Sequence, residues 1–138
     1  MREILFKAKR KDNSKWIKGY YQKRYDLLSN EEHLIFHADS YNVWEYAEII
    51  PETVCQFTGL CDKNGKKIWE NDILMANLDE SYPEDVTYKT VEWGVAGWVT
   101  HEANSIDRQY LDEFDLEHFE VVGNIFDNPE LLQEESDE

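Results

Sequence analysis

The chain has 138 residues and a mass of 16.5 kDa, the size of one domain, or of one domain with an appended hairpin. Its 14 Lys and Arg against 30 Asp and Glu leave a net charge of −16, which argues against a protein that coats nucleic acid or an anionic membrane. Five Trp, eight Tyr and six Phe argue equally against an acidic disordered chain, and a chain this long buries a core without staples.

The charge is not evenly spread. Residues 1–25 carry nine Lys and Arg against two acids, or +7, while residues 26–138 hold 5 basic and 28 acidic residues, or −23. Two readings stand at this point. The basic segment docks on an acidic surface, of its own chain or of a neighbouring copy, or it is a strand pair whose solvent face is basic.

In chain order, residues 3–9 alternate, with Ile4, Phe6 and Ala8 on one face and Glu3, Lys7 and Lys9 on or beside the other. Residues 11–14 (KDNS) supply turn chemistry, and residues 16–21 return as an aromatic-rich strand, so a hairpin is predicted. Residues 26–50 stay undecided, since Asn30-Glu31-Glu32 suits a helix start and Leu34-Ile35-Phe36 suits a strand. Residues 54–58 read as a strand, and Asp62-Lys63-Asn64-Gly65 as a tight turn, Asn-Gly being a strong hairpin signal. Extended structure is predicted again at 67–69, 71–75, 87–93, 98–100 and 118–126, the last bent or bulged at Gly123-Asn124. Ile106, Tyr110 and Phe114 at i, i+4, i+8 predict a helix over 107–117. A final half-turn opens at Asn128 with Pro129, and the acidic tail 133–138 is expected to fray. No internal repeat is visible. The pattern predicts a mainly β chain: a small, partly closed antiparallel SH3-like barrel over 51–127 with an N-terminal hairpin and one or two short helices, in one domain over 1–132.

Cys55 and Cys61 are too few for a disulfide scaffold, and their spacing matches no redox pair. No apolar leader opens the chain and no membrane-length apolar run occurs, so a cytoplasmic location without membrane contact is the expectation.

The blocks IPETV (50–54), QFTGL (56–60), DKNGKKI (62–68), Glu70 with Asp72-Ile73, and VVGNIFDNPEL (121–131) resemble the YopX family. Arg2-Glu3-Ile4, Phe6-Lys7-Ala8, Trp16, Gly19-Tyr20 and Val91-Glu92-Trp93 continue the likeness. Segments 26–49, 76–89 and 99–117 carry little of it. Cys55 and Asn71 stand where the family commonly has Gly, and Cys61 where it has Lys. Asn best replaces Gly at a left-handed backbone position, so the bend at 71 is expected to survive. The resemblance implies an uncharacterised phage or prophage accessory protein, strand-rich and self-assembling in character, with no established chemistry.

Residue by residue, the candidate sites resolve as follows. Asp62 opens like a calcium loop, but its twelfth position is Ile73 rather than Glu, so the loop is read as structural. Asp112, Glu113, Asp115, Glu117, His118 and Glu120 form a cluster of carboxylates beside an imidazole, without a nucleophile or a cationic stabiliser. No phosphate cradle, catalytic elbow or dinucleotide fingerprint is present. The expectation is therefore no cofactor, no metal and no catalytic residue. Trp69, Tyr88, Trp93 and Trp98 are candidates to line an open groove, with Arg10, Lys11, Lys15 and Lys18 as candidate interface cations. The leading function is a non-enzymatic protein-binding or self-assembling module, with itself or a bacterial host protein as partner. An acidic mimic of nucleic acid that occupies a host DNA-binding protein, and a metal-dependent hydrolase using residues 112–120, are the alternatives.

Overall fold

Apolar residues recurring at every second position can be buried on one side only by extended chain, and strands dominate the molecule. The computed structural model describes residues 4–103 and 105–133; the tail beyond 133, expected to fray, lies outside them. The strands are β1 (Phe6–Lys9), β2 (Trp16–Tyr25), β3 (Glu31–Ala38), β4 (Trp44–Glu48), β5 (Cys55–Cys61), β6 (Lys67–Trp69), β7 (Asp72–Ala76), β8 (Thr87–Trp93), β9 (Trp98–Glu102), β10 (Arg108–Tyr110) and β11 (Glu120–Asn124). A short helix, α1, covers Glu113–His118, and 3-10 turns cover Pro51–Thr53 and Pro129–Leu132. The class is mainly β, as the sequence predicts. Neither sheet closes on itself, so any barrel is partly closed at most.

The chain forms two compact units, Met1–Phe57 and Thr58–Glu138, divided within β5. In the first unit the strand order is β4-β3-β2-β1-β5; the far half of β5 pairs with β6. In the second unit the order is β10-β9-β8-β7-β11. Every recorded strand pair is antiparallel.

Three hairpin loops are built on one plan, and it explains why the undecided stretch 26–50 folds as strands. In each, an Asp Oδ1 accepts the backbone N–H groups two and four residues on: Asp26 from Leu28 and Asn30, Asp39 from Tyr41 and Val43, Asp62 from Asn64 and Lys66. The residue three after the Asp takes a left-handed backbone, with φ of 64° at Ser29, 60° at Asn42 and 80° at Gly65. A turn ending in one left-handed residue is a favoured way to reverse a hairpin. Asn71 also has φ of 70°, the left-handed position expected of a Gly replacement.

Two glycines are fixed by close approach rather than by φ. A Cβ on Gly19 would lie 2.1 Å from the Phe36 carbonyl oxygen in the neighbouring strand. One on Gly123 would lie 2.3 Å from Asn128 Oδ1, which accepts the N–H of Asn124 instead of capping the 3-10 turn it precedes. The register of β11 on β7 slips between Val121 and Gly123, the bulge that the Gly123-Asn124 pair predicts.

The first unit's core gathers Ala8, Ile35 and Ile49, flanked by Phe6, Ile17, Tyr21 and Val54. Ile4, assigned by alternation to the same face, is 60% exposed. The second unit's core is Ile68, Leu74, Ala76, Val91 and Phe119. Beside it Lys89 Nζ donates to Asp115 Oδ1 at 3.1 Å and lies 4.8 Å from the Phe119 ring centroid.

One element departs from expectation. Residues 107–117 are not a helix: Arg108–Tyr110 pairs with β9, and the helix begins only at Glu113. Ile106 and Tyr110, two of the three residues whose spacing suggested it, are 90% and 61% exposed, so no burial rewards helical periodicity there. What starts α1 is a capping box, with Asp115 N donating to Asp112 Oδ1 and Asp112 N donating to Asp115 Oδ2. The helix takes in His118, which the sequence assigns to the last strand.

Candidate functional site

Side chains alternate across a strand, and directly paired residues share a face. In the first unit the registers Phe6↔Gly19, Ala8↔Ile17 and Ile35↔Ala47 put the core on one side of the sheet. The registers Lys9↔Trp16, Lys7↔Lys18, Tyr20↔Phe36, Phe36↔Tyr46 and Ala38↔Trp44 put Trp16, Tyr20, Phe36, Trp44 and Tyr46, with Lys7, Lys9 and Lys18, on the other. Tyr20, Trp44 and Tyr46 there are 57%, 58% and 57% exposed.

The rings on this second face form an ordered array. Tyr20 and Trp44 lie 5.9 Å apart between centroids, and Phe36 and Tyr46 lie 5.5 Å apart. The Arg24 guanidinium sits 5.0 Å over the Tyr46 ring while its Nε donates to Glu32 Oε2 at 2.9 Å. Lys7 and Lys9 place their ammonium groups 4.8 and 5.6 Å from the Trp16 centroid. Cations over aromatic faces hold both partners in place.

The basic amino-terminal segment is thus a strand pair, and several of its charges meet acids of the same unit. Lys11 Nζ contacts Glu48 at 3.2 Å, Lys23 Nζ contacts Glu31 at 2.6 Å, and Arg10 contacts Asp12 at 2.9 Å. These partners hold the Asp12 and Glu31 carboxyls below their ordinary range through hydrogen bonds to Arg10 and Lys23. Glu31 also accepts from His33 Nε2 at 3.1 Å, and the Tyr21 hydroxyl donates to His33 Nδ1. Burial raises the Tyr21 phenol. Over the whole first unit nine basic residues balance nine acidic ones, and the second unit, with 5 against 21, carries the full −16.

The candidates named from sequence are dispersed. Trp69 is 4% exposed and belongs to the interior, so it lines no groove. Trp93 and Trp98 are paired across β8 and β9, ring centroids 4.9 Å apart, with Trp93 59% exposed. Tyr88, an odd number of residues from Trp93 along β8, projects from the opposite face and lines a cleft of about 390 Å³ with Glu102, Glu130 and Leu131. Arg10 and Lys11 are engaged in the ion pairs above, Lys15 lies exposed in the β1–β2 turn, and Lys18 is exposed on the ring-bearing face. Sequence reasoning missed Phe36, Trp44 and Tyr46 because residues 26–49 were unassigned, and Tyr20, inside the predicted strand 16–21, because its cross-strand neighbours lie in that stretch. Phe36 and Tyr46 stand symmetrically about the Asp39–Val43 turn, and recognising that turn would have paired them.

The carboxylate cluster at 112–120 is likewise taken apart by the fold. Asp112 and Asp115 cap α1, Glu120 accepts from Asn64 Nδ2 at 3.1 Å, and the His118 ring stacks on Phe114 at 4.2 Å. Asp62, rejected as a calcium ligand, is 7% exposed, and its Oδ2 accepts the Val121 N–H at 2.8 Å, tying the β5–β6 turn to β11. Among the described residues no three His, Cys, Asp or Glu side chains stand together as a metal site.

Two open antiparallel sheets, one displaying a ring-and-cation face, define a small mainly β protein with an ordered outward surface. The chain belongs to the YopX protein family, whose model matches residues 5–133. It is similar in fold to a protein of known crystal structure, EF1440 from Enterococcus faecalis, with 21% identity and a TM-score of 0.63 over 96% of this chain and 100% of that one. No curated protein matches it.

Proposed function

We propose that this chain is a non-catalytic protein-binding module, a phage- or prophage-encoded accessory protein acting in the cytoplasm of its bacterial host. The observation that carries this reading is the exposed array of Tyr20, Trp44 and Tyr46 beside Arg24. Aromatic and Arg side chains are the residues most enriched at protein interfaces, and here neighbouring rings and the sheet hold them in a fixed arrangement. Fixed rings lose little entropy on association. The phage assignment rests on the family resemblance. No helix among the described residues is long and apolar enough to cross a membrane.

The test is capture from host lysate by the tagged chain, compared with Tyr20→Ser/Trp44→Ser and, as a control, Trp93→Ser in the second unit. Partners retained by the parent and the Trp93 variant but lost by the face variant support the reading. An identical set on all three baits overturns it. The concentration of −16 in the second unit favours a second reading, an acidic mimic of nucleic acid. In that case duplex DNA added to the lysate displaces the partner, and the face variant retains it.

A further inference from the structure

We infer that the outer edge of β4 takes an extended strand of a partner protein, one in which apolar residues alternate with basic ones. The inference rests on the reading of the ring-bearing face as a protein-docking surface and names how its occupant is held.

β4 ends the sheet of the first unit, with β3 as its neighbour. In an antiparallel ladder every second residue turns its N–H and C=O toward the neighbour, and the residues between turn theirs away. Ile49 N donates to the His33 carbonyl and Asp39 N to the Val43 carbonyl, which fixes the phase. Val43, Glu45, Ala47 and Ile49 therefore face β3, while Trp44, Tyr46 and Glu48 turn their backbone groups outward. The Glu48 carbonyl accepts the Lys11 N–H. The outward N–H and C=O of Trp44 and Tyr46 have no partner among the described residues.

The edges of the second unit differ. β11 is met by the β5–β6 turn, where Val121 N donates to Asp62 and Lys63 N to the Phe119 carbonyl, and β10 is three residues long. β4 lacks three devices that blunt an edge, having no Pro, no Lys and no slip in its register with β3. A cleft of about 290 Å³ lined by Lys11, Asp12 and Glu48 lies at its carboxyl end and leaves room beside the strand.

An unpaired ladder selects extended chain, since a strand matches two N–H and two C=O groups at this spacing. The side chains of β4 then set the partner's sequence. Directly paired residues share a face, so partner residues opposite Trp44 and Tyr46 lie against exposed rings and are apolar. The partner residue between them stands opposite Glu45, in a non-hydrogen-bonded pair where side chains approach most closely. Glu45 is exposed and in no ion pair among the described residues, and Arg10, which feels its charge, is held by Asp12. A Lys or Arg matches it. A second copy of β4 does not, because it brings Glu45 and Glu48 and no cation, from a chain of −16.

The experiment titrates the isotope-labelled full chain with a synthetic peptide, acetyl-Thr-Val-Lys-Val-Lys-Val-Thr-amide, and reads amide exchange by NMR. In the free chain the Trp44 and Tyr46 amides are expected to exchange freely while those of Glu45 and Ala47 are protected. With peptide at about ten times its Kd, exchange at Trp44 and Tyr46 is expected to slow about tenfold. Methylating the peptide's valine nitrogens removes the donors that meet β4 and keeps every side chain, and binding is expected to be lost. Replacing its lysines with glutamates is expected to weaken binding about fivefold, and Glu45→Lys in the chain to restore it. Unchanged exchange at both amides on binding, equal binding of the methylated or the glutamate peptide, or no binding up to about 1 mM overturns the inference. Protection of these amides that rises with the chain's own concentration, without peptide, overturns it in favour of a second copy. The docking reading itself falls on a different result, the host-capture comparison, so face-dependent host partners without peptide binding remove the added strand and leave the docking surface.

Discussion

Ser29 and Asn42 hold left-handed backbone conformations that cost most residues about 1–2 kcal/mol, a strain set by the tight hairpins they close. Replacing Ser29 with Gly removes that strain, and urea denaturation is expected to show a gain of about 0.5–1 kcal/mol. Asp62 is the opposite case. Its carboxylate accepts three backbone N–H groups, from Asn64, Lys66 and Val121, while almost fully buried. Asp62→Ala leaves these donors without their acceptor, and the same measurement is expected to show a loss of about 2–4 kcal/mol. Asp62→Asn keeps one acceptor oxygen and is expected to fall between the two. Both roles are half legible in sequence. DKNG announces a turn, but nothing in the string says that Val121, far along the chain, donates to the same side chain.

Elements were legible where burial enforces a period and illegible where it does not. β8, with Val91 buried and Thr90 almost so, lies within the predicted 87–93. β10 is three exposed residues held by its ladder to β9, and a pattern of side chains carries no trace of a backbone ladder. The strands β3 and β4 were undecided because their turns use Ser29 and Asn42 where Gly would have announced them. The ring-bearing face was hidden for the same reason, since a shared face exists only once the registers are known. At α1 the sequence shows carboxylates and the fold shows a cap and a buried ion pair. Breaking that pair by Asp115→Asn or Lys89→Met leaves one uncompensated polar group beside Phe119, and each is expected to cost about 3–5 kcal/mol by chemical denaturation. The double variant Lys89→Met/Asp115→Asn, which removes both charges and keeps an acceptor for the Asp112 N–H, is expected to cost less than either single change. Equal or additive losses would show the two groups to be uncoupled.

At the scale of the whole molecule, the two units respond to solvent with opposite signs. The first is neutral in sum and laced with ion pairs, which salt weakens; the second carries −16, whose self-repulsion salt relieves. Hydrogen exchange read by NMR is expected to show protection at Val91 rising with salt while protection at Lys23 falls or stays level. Acid acts on the first unit through three carboxylates. Asp12 and Glu31, beside Arg10 and Lys23, and Asp26, accepting backbone N–H groups of Asn30 and Leu28, all have lowered carboxyl pKa values. A lowered carboxylate contributes stability above its unfolded pKa and loses it as pH falls through the folded one. Heteronuclear spectra are therefore expected to show first-unit resonances weakening as pH drops below about 4, less so at high salt.

The Asn64-Gly65 pair closes the β5–β6 hairpin, and it is also the dipeptide whose amide is most easily lost with time: the glycine nitrogen attacks the asparagine side-chain carbonyl carbon, ammonia leaves, and water opens the resulting succinimide to a carboxylate. In the folded chain both reacting groups are occupied: Gly65 N–H donates to the Asp62 carbonyl at 3.0 Å, and Asn64 Nδ2 donates to Glu120 at 3.1 Å. Deamidation therefore waits on the opening of this hairpin. Once it occurs, a carboxylate faces Glu120 where an amide had bonded to it, so reclosure is weakened. The turn that shapes the protein thus also times its ageing.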